Sequence, residues 1–130
     1  MIYLDTSAAL AYLLAEEIQP PVEIWQQPLI SSRLLEYETW TRIHALRLSG
    51  THGDMVRALL GRVSFLELSP PVLERAIHSF PAAVRTLDAL HLASMEFLRS
   101  HGQVVELASF DKRLLAVARL LRFPVHPELK

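Results

Sequence analysis

The sequence begins Met1-Ile2-Tyr3-Leu4-Asp5-Thr6-Ser7, and this stretch decides the fold class. Four consecutive apolar residues are typical of a short strand that is buried on both faces. The residues that follow, Asp5 to Ser7, are of the types that cap helices, and the range Ala8 to Glu17 is rich in alanine and leucine. We therefore predict a buried strand that leads directly into a helix, with an acidic side chain at the junction.

The same order of strand and helix recurs along the rest of the chain. Short apolar segments predict strands at Leu29-Ile30, Val63 to Leu68 and Val104 to Ala108, and a short edge strand at Val125, which lies between two prolines. Helical patterns lie between these segments: Pro20 through Trp25, Leu34 to Leu48, a helix capped by Thr51, a helix that starts at Pro70-Pro71, Thr86 to Gly102, and a helix that starts at Asp111. The alternation predicts an α/β fold with a short central parallel sheet of about five strands and helices on both faces.

Length and composition predict one globular domain over residues 1–130. Of the 130 residues, 51% are hydrophobic and 21% are charged, which excludes a disordered chain. The chain has no cysteine, so disulfides, thiolate nucleophiles and cysteine-bound zinc are excluded. The net charge is −1, so nucleic acid would have to bind through a local patch. The first basic residue is Arg33, and no early apolar run is long enough to span a bilayer, so we expect a cytoplasmic protein with no membrane association.

Four acidic residues lie at the ends of predicted strands or in apolar surroundings, where carboxylates are uncommon. Parallel sheets bind ligands beyond the carboxyl ends of their strands, and Asp5 and Asp111 both follow predicted strands. Asp88 lies in the first turn of a helix that is apolar on two sides, and Glu38 is flanked by aromatic residues. Burial of carboxylates in such surroundings is costly unless they are paired.

Each acid also has a structural interpretation that involves no function. Asp5 and Asp111 would cap the helices that follow them. Asp88 would interact with its helix dipole, and Glu38 would pair with Arg42 one turn later. The acids as a group fit this interpretation less well, because two carboxylates about 4 Å apart repel by roughly 4 kcal/mol at an effective dielectric constant near 20. A divalent cation would offset the repulsion, and Mg²⁺ or Mn²⁺ typically binds carboxylates, waters and substrate phosphate.

Four blocks of the sequence carry a family resemblance in their order and spacing. They are Tyr3-Leu4-Asp5-Thr6-Ser7-Ala8, Ser32 with Glu38 six residues later, Leu87-Asp88-Ala89-Leu90-His91-Leu92-Ala93, and Ser109-Phe110-Asp111-Lys112-Arg113-Leu114. Together they resemble the PIN-domain nucleases and, more narrowly, the VapC-type toxins of prokaryotic toxin–antitoxin pairs. The third block is the most specific, and the resemblance extends over essentially the whole chain.

The resemblance implies an acidic pocket that binds Mg²⁺ or Mn²⁺ and hydrolyses RNA phosphodiester bonds. It implies Asp5 and Asp88 as the principal metal ligands, with Glu38 and Asp111 as secondary ligands that complete the catalytic set. Two further residues match hydroxyl positions that line the site, namely Thr6 and Ser109.

Basic residues and a histidine near these blocks have less specific roles. Arg33, Arg42 and Arg85 are candidates for contacts with RNA phosphates, and solvated arginines are the alternative interpretation. His91 follows Asp88 by three residues. We expect it to be a packed helix histidine beside the site rather than a general base.

The resemblance also implies partners. They are an RNA substrate, a cognate VapB-type antitoxin that wraps the toxin, and a second toxin copy in a homodimer that joins a higher assembly with the antitoxin. Two alternatives stay open: a PIN-domain nuclease that processes RNA outside a toxin–antitoxin pair, and a catalytically inactive PIN domain that only binds a partner. A receiver-type phosphoacceptor fits poorly, because Asp5 stands alone after its strand and the only lysines are Lys112 and Lys130.

Overall fold

The computed structural model describes residues 1–126. Within them the chain forms a parallel sheet of four strands, β1 (Ile2–Leu4), β2 (Leu29–Ser32), β3 (Val63–Leu66) and β4 (Glu106–Ala108). The strand order is β3-β2-β1-β4, so the direction of chain progression reverses between β1 and β4. In an open parallel sheet this reversal opens a crevice beyond the carboxyl ends of the two strands.

Helices connect the strands. In the described part of the chain they are α1 (Thr6–Leu13), a 3₁₀ helix (Val22–Gln26), α2 (Leu34–Ala45), α3 (Ser49–Leu60), α4 (Pro70–Ala76), α5 (Thr86–Ser100) and α6 (Lys112–Leu120). None of the helices in residues 1–126 has the length and apolar character needed to cross a membrane.

The side chains of β1 alternate between two hydrophobic cores, one on each face of the sheet. Ile2 and Leu4 pack in a cluster with buried residues of α1, α2 and α3, whereas Tyr3 packs with Leu92 of α5 and Leu114 of α6. All three β1 residues have 0% exposure. Because successive strand residues point to opposite faces, the two clusters show that helices cover both faces of the sheet. The predicted α/β class, with a parallel sheet between helical layers, is confirmed.

The number of strands differs from the prediction of about five. Val125 forms only an isolated parallel bridge with Leu107 of β4. Leu107 donates its N–H to the carbonyl of Pro124 at 2.9 Å and accepts from the N–H of His126 at 3.0 Å. Pro124 has no N–H to donate, so within residues 1–126 the pairing does not extend into a strand. Pro127, the second flanking proline, lies outside the described residues.

Two helices end three or four residues earlier than predicted, α1 at Leu13 rather than Glu17 and α2 at Ala45 rather than Leu48. Each is followed by a non-glycine residue in the left-handed region, Ala15 at φ 49° and Arg47 at φ 56°. Such residues reverse the chain at a helix C-terminus, a position usually taken by glycine. Because neither end carries glycine, no local sequence signal marks these two helix ends.

We predict that Arg47→Gly stabilises the fold. Arg47 is exposed and adopts a positive φ, which costs an L-residue about 1 kcal/mol and glycine almost nothing. Chemical denaturation should show an unfolding free energy higher by about 0.5–1 kcal/mol. The matched control is Ala58→Gly, at an exposed position inside α3, which should lower the unfolding free energy by a similar amount. A lower stability for Arg47→Gly would contradict this account of the α2 terminus.

Candidate active site

The carboxyl end of β1 leads into the first acidic residue of the site. Asp5 is the N-cap of α1, and its N–H donates to the carbonyl of Ala108 at the end of β4, at 3.0 Å. The Asp5 Oδ2 atom accepts hydrogen bonds from the hydroxyls of Ser7 at 2.6 Å and Ser109 at 2.7 Å. The residue is 6% exposed. The capping interpretation of Asp5 is therefore correct, and capping fixes its carboxylate at the β1–β4 crevice.

Two serine hydroxyls join the segments that follow β1 and β4. Ser7 Oγ lies 3.2 Å from Ser109 Oγ and accepts the N–H of Phe110 at 2.9 Å. Ser109 Oγ accepts the N–H of Asp111, also at 2.9 Å. The network occupies Oδ2 of Asp5, whereas Oδ1 accepts no hydrogen bond from residues 1–126. One oxygen of Asp5 is thus held by the protein and the other is left for a ligand.

Asp111 is likewise both a cap and a member of the site. Its Oδ1 atom accepts the backbone N–H groups of Arg113 at 3.0 Å and Leu114 at 3.2 Å, at the start of α6. Its Oδ2 atom pairs with the guanidinium of Arg85. The cap orients the carboxylate, and the ion pair links it to the start of α5.

Asp88 faces the other acids from the first turn of α5. Its Oδ2 atom accepts a hydrogen bond from Arg85 Nε at 2.9 Å, so one guanidinium bridges Asp88 and Asp111. Burial raises the pKa of Asp88, the Arg85 guanidinium opposes that change, and the charges of Asp111 and Asp5 raise the pKa further. The net result is a raised pKa, so the ionised carboxylate is disfavoured in the fold.

Glu38 reaches the site from α2. Its Oε1 atom accepts the hydroxyl of Thr6 at 3.0 Å and lies 2.6 Å from His91 Nε2. The predicted pair with Arg42 does not form in the described structure, because Glu38 turns towards α1 and α5 instead. Arg42 lies exposed near the end of α2.

His91 is buried, as expected for a packed helix histidine, with 1% exposure. Its direct hydrogen bond to Glu38 was not predicted, nor was the contact of its Nδ1 with the Tyr3 hydroxyl at 2.8 Å. Burial alone lowers the pKa of His91, but the Tyr3 oxygen, the hydrogen bond to Glu38 and the Asp5 carboxylate outweigh it and raise this pKa well above its ordinary value.

The acidic side chains line a cleft of about 330 Å³. Its lining includes all four predicted acids, together with Thr6 and Arg85. Ser109 has 0% exposure and donates a hydrogen bond to the Asp5 carboxylate. Arg33 and Arg42 do not belong to the lining. Arg33 instead binds Glu67 through two nitrogens, at 2.9 and 2.7 Å.

The donor set of this cleft suits a hard divalent cation. No three acidic or histidine side chains in residues 1–126 stand close enough to form a ready-made metal cage, and Arg85 occupies the space between Asp88 and Asp111. Mg²⁺ does not need such a cage, because it typically keeps several waters and uses one or two carboxylates. Asp5, Asp88 and Glu38 each retain one oxygen that accepts no hydrogen bond from the described residues. These oxygens fit Mg²⁺ or Mn²⁺ chemistry.

Comparison with known families identifies the class of protein. Residues 2–120 match the PIN domain, so the chain belongs to the PIN-domain family. Ribonuclease VapC47 of Mycobacterium tuberculosis (strain CDC 1551 / Oshkosh) is 30% identical over 130 residues, with 95% of this chain and 93% of that protein covered. Ribonuclease VapC35 of the same strain, and of strain ATCC 25618 / H37Rv, is 29% identical with 96% and 95% covered. The predicted resemblance to VapC-type PIN proteins is confirmed.

Two features of the site escaped the sequence analysis. The sequence indicates only a helix-capping role for Ser7, although Ser7 joins Asp5 to the β4–α6 segment. The Tyr3–His91 contact spans 88 positions of sequence, so no local pattern reveals it. The available signal for Tyr3 was its position in β1, two residues before Asp5.

We predict that Asp88→Asn stabilises the protein when no divalent cation is present. When folding raises the pKa of a carboxyl, the unfolding free energy of the protein falls as the pH rises through that pKa. Ionised Asp88 therefore destabilises the fold at neutral pH. The isosteric amide removes this charge. Thermal unfolding in EDTA at pH 7 should show a melting temperature higher by about 2–4 °C.

Asp54→Asn is the matched control for this measurement. The Asp54 side chain is fully exposed on α3 and, among the residues that the structure describes, pairs only with Arg57, so its replacement should leave the melting temperature within about 1 °C. A melting temperature that falls in Asp88→Asn would show that the Arg85 ion pair outweighs the cost of burial.

Proposed function

We propose that this protein is a Mg²⁺-dependent ribonuclease, the toxin of a toxin–antitoxin pair, and that it hydrolyses RNA phosphodiester bonds at the acidic cleft. The observation that carries the proposal is the convergence of Asp5, Glu38, Asp88 and Asp111 at the carboxyl ends of β1 and β4, around a single arginine. Membership of the PIN family and two relatives named as ribonucleases support the same reaction class.

The proposed metal ligands are Asp5 and Asp88, with Glu38 and Asp111 as secondary ligands. A bound Mg²⁺ or Mn²⁺ would polarise a phosphoryl oxygen and lower the pKa of the attacking water. The protein contributes orientation. Ser7 and Ser109 hold Oδ2 of Asp5, and the α6 N-terminus holds Oδ1 of Asp111. Fixed carboxylates need little rearrangement when cation and substrate bind, which favours catalysis.

Arg85 has two roles in this proposal. Its guanidinium offsets the repulsion between Asp88 and Asp111 in the absence of another cation. If these carboxylates held a metal ion, Arg85 would be free to contact a phosphate of the RNA, which its planar group suits. Arg33 and Arg42 lie outside the cleft lining. We therefore propose that they contact phosphates of the RNA beyond those bound in the cleft.

The proposed partners are RNA, a VapB-type antitoxin and a second copy of the chain, with the cytoplasm as the place of action. A contiguous apolar groove supports a protein partner, because continuous apolar surface marks interaction sites. Its lining includes Leu73, Ile77, Phe80 and Val84, and Ile77 is 75% exposed. The complete acidic set favours an active enzyme over an inactive PIN domain that only binds a partner.

We predict that the purified protein cleaves cellular RNA into discrete fragments with Mg²⁺ or Mn²⁺ and not with EDTA. Asp5→Asn and Asp88→Asn should each reduce the cleavage rate at least about 100-fold, because they remove a ligand charge while keeping side-chain size. Gel electrophoresis of total cellular RNA measures the cleavage, since total RNA contains every candidate target.

Asp54→Asn, which alters an exposed carboxylate outside the cleft lining, should cleave as fast as the parent protein. Full metal-dependent activity in Asp88→Asn would refute the assignment of the site. Growth arrest upon expression in a bacterial host, absent for Asp88→Asn, separates a toxin from a nuclease that matures RNA.

We predict that Arg85→Gln tightens Mn²⁺ binding and weakens RNA binding. Loss of the guanidinium removes the competitor for Asp88 and Asp111, and it also removes a phosphate contact. The dissociation constant for Mn²⁺, measured from the paramagnetic resonance signal of the free ion, should fall several-fold, and KM for RNA should rise. Arg33→Gln is the control for the metal measurement, since Arg33 pairs with Glu67 instead. An unchanged Mn²⁺ affinity in Arg85→Gln would contradict the competition.

A further inference from the structure

A row of three hydrogen-bonded side chains runs from the sheet core to the acidic cleft. Tyr3 lies in β1 with 0% exposure, and its hydroxyl contacts Nδ1 of His91 at 2.8 Å. The opposite ring nitrogen, Nε2, lies 2.6 Å from Oε1 of Glu38. The tyrosine and histidine rings meet edge to face, with centroids 5.8 Å apart. The nucleolytic mechanism proposed above makes no use of either ring.

The direction of these hydrogen bonds follows from the partners at each end and, at Nδ1, from the charge of the ring. The backbone N–H of Ser32 donates to the Tyr3 hydroxyl oxygen at 3.2 Å, which leaves the hydroxyl hydrogen for Nδ1 of a neutral imidazole. In a charged imidazole Nδ1 carries a hydrogen and donates it to the Tyr3 oxygen. An ionised Glu38 carboxylate can only accept. Nε2 of His91 therefore carries a hydrogen and donates it to Glu38, whether the imidazole is neutral or charged.

The row holds one oxygen of Glu38 and leaves the other unoccupied. Oε1 accepts from both His91 Nε2 and Thr6 Oγ1. Oε2 accepts no hydrogen bond from residues 1–126, and Glu38 lines the cleft. Two donors on one oxygen fix the rotation of the carboxylate as well as its position.

We propose that His91 is a positioning residue, oriented by Tyr3, that holds Glu38 so that Oε2 stays available to a divalent cation in the acidic cleft. This inference rests on the proposed function, in which Glu38 belongs to the metal pocket. Groups that hydrogen-bond to metal ligands orient them, and their loss typically lowers metal affinity or activity about 10–100-fold.

A purely structural role would not require this arrangement. The neighbours of His91 in the same core, Leu92 and Met95, are apolar and have 0% exposure. An apolar side chain would fill that space without the cost of burying two ring nitrogens. The polar row is explained if its end point, the Glu38 carboxylate, has to be held in place.

The test compares two substitutions of His91 in the full-length protein. His91→Gln keeps an N–H donor at a position close to that of Nε2, whereas His91→Leu keeps the bulk and removes the donor. Mn²⁺ affinity is measured without RNA, from the paramagnetic resonance signal of the free ion. We expect the dissociation constant to rise about 10–100-fold in His91→Leu and to change less than about threefold in His91→Gln.

A double-mutant cycle with Glu38→Gln assigns the effect to the proposed contact. If His91 acts through Glu38, His91→Leu should have almost no further effect on Mn²⁺ affinity in the Glu38→Gln background. Equal additional losses in both backgrounds would overturn the positioning role. So would a Mn²⁺ affinity that stays unchanged in His91→Leu while only thermal stability falls.

Tyr3→Phe keeps the test decisive if His91→Leu does not fold. It retains the ring in the core and removes only the hydroxyl that orients the imidazole. We expect a several-fold loss of Mn²⁺ affinity, and an unchanged affinity would overturn the role of Tyr3. Asp88→Asn separates this inference from the proposed function: if Asp88→Asn still binds Mn²⁺ normally, the metal site itself is wrong. If Asp88→Asn loses Mn²⁺ and His91→Leu does not, only the positioning role fails.

Discussion

The parallel pairing of β1 with β4 is the constraint on which the site depends. It aligns the carboxyl ends of two strands that are about a hundred residues apart in sequence, with Leu4 opposite Ala108. The next residue of each strand is then polar, Asp5 and Ser109, and their side chains bond at 2.7 Å. Asp111 lies two residues further on, at the start of α6. The sheet therefore places two of the four acids, and the helices α2 and α5 bring the other two against them.

The site is a compromise between stability and chemistry. Burial of the carboxylates is costly, and the carboxylates also repel one another. Burial raises the pKa of Asp88 most, and the charges of Asp111 and Asp5 raise it further. The fold limits the penalty with local hydrogen bonds: serine hydroxyls on Asp5, backbone N–H groups on Asp111, and Thr6 with His91 on Glu38. Arg85 supplies the remaining positive charge and is itself half exposed, so it can move without disturbing the core.

The sequence predicted the elements whose signals are local, and it failed where long-range contacts or unusual backbone angles decide. Apolar runs and helical periodicity located the observed strands and helices, and the spacing of the four acids indicated the family. The early ends of α1 and α2 were hidden because Ala15 and Arg47 take a glycine-like conformation. The predicted fifth strand at Val125 is an isolated bridge in the structure, because Pro124 interrupts the pairing. The Tyr3–His91–Glu38 row joins three distant segments, so it became visible only in three dimensions.

We propose that Asp5 and Asp88 form the core of a divalent-cation site beyond the β1–β4 crevice. The most direct test is a crystal structure of the protein grown with Mn²⁺ and measured near the manganese absorption edge. We expect an anomalous peak within bonding distance of both carboxylates, with Arg85 withdrawn from Asp88, and no peak in Asp88→Asn crystals. A fully occupied manganese ion elsewhere, with the Asp5 and Asp88 carboxylates free of metal, would contradict it.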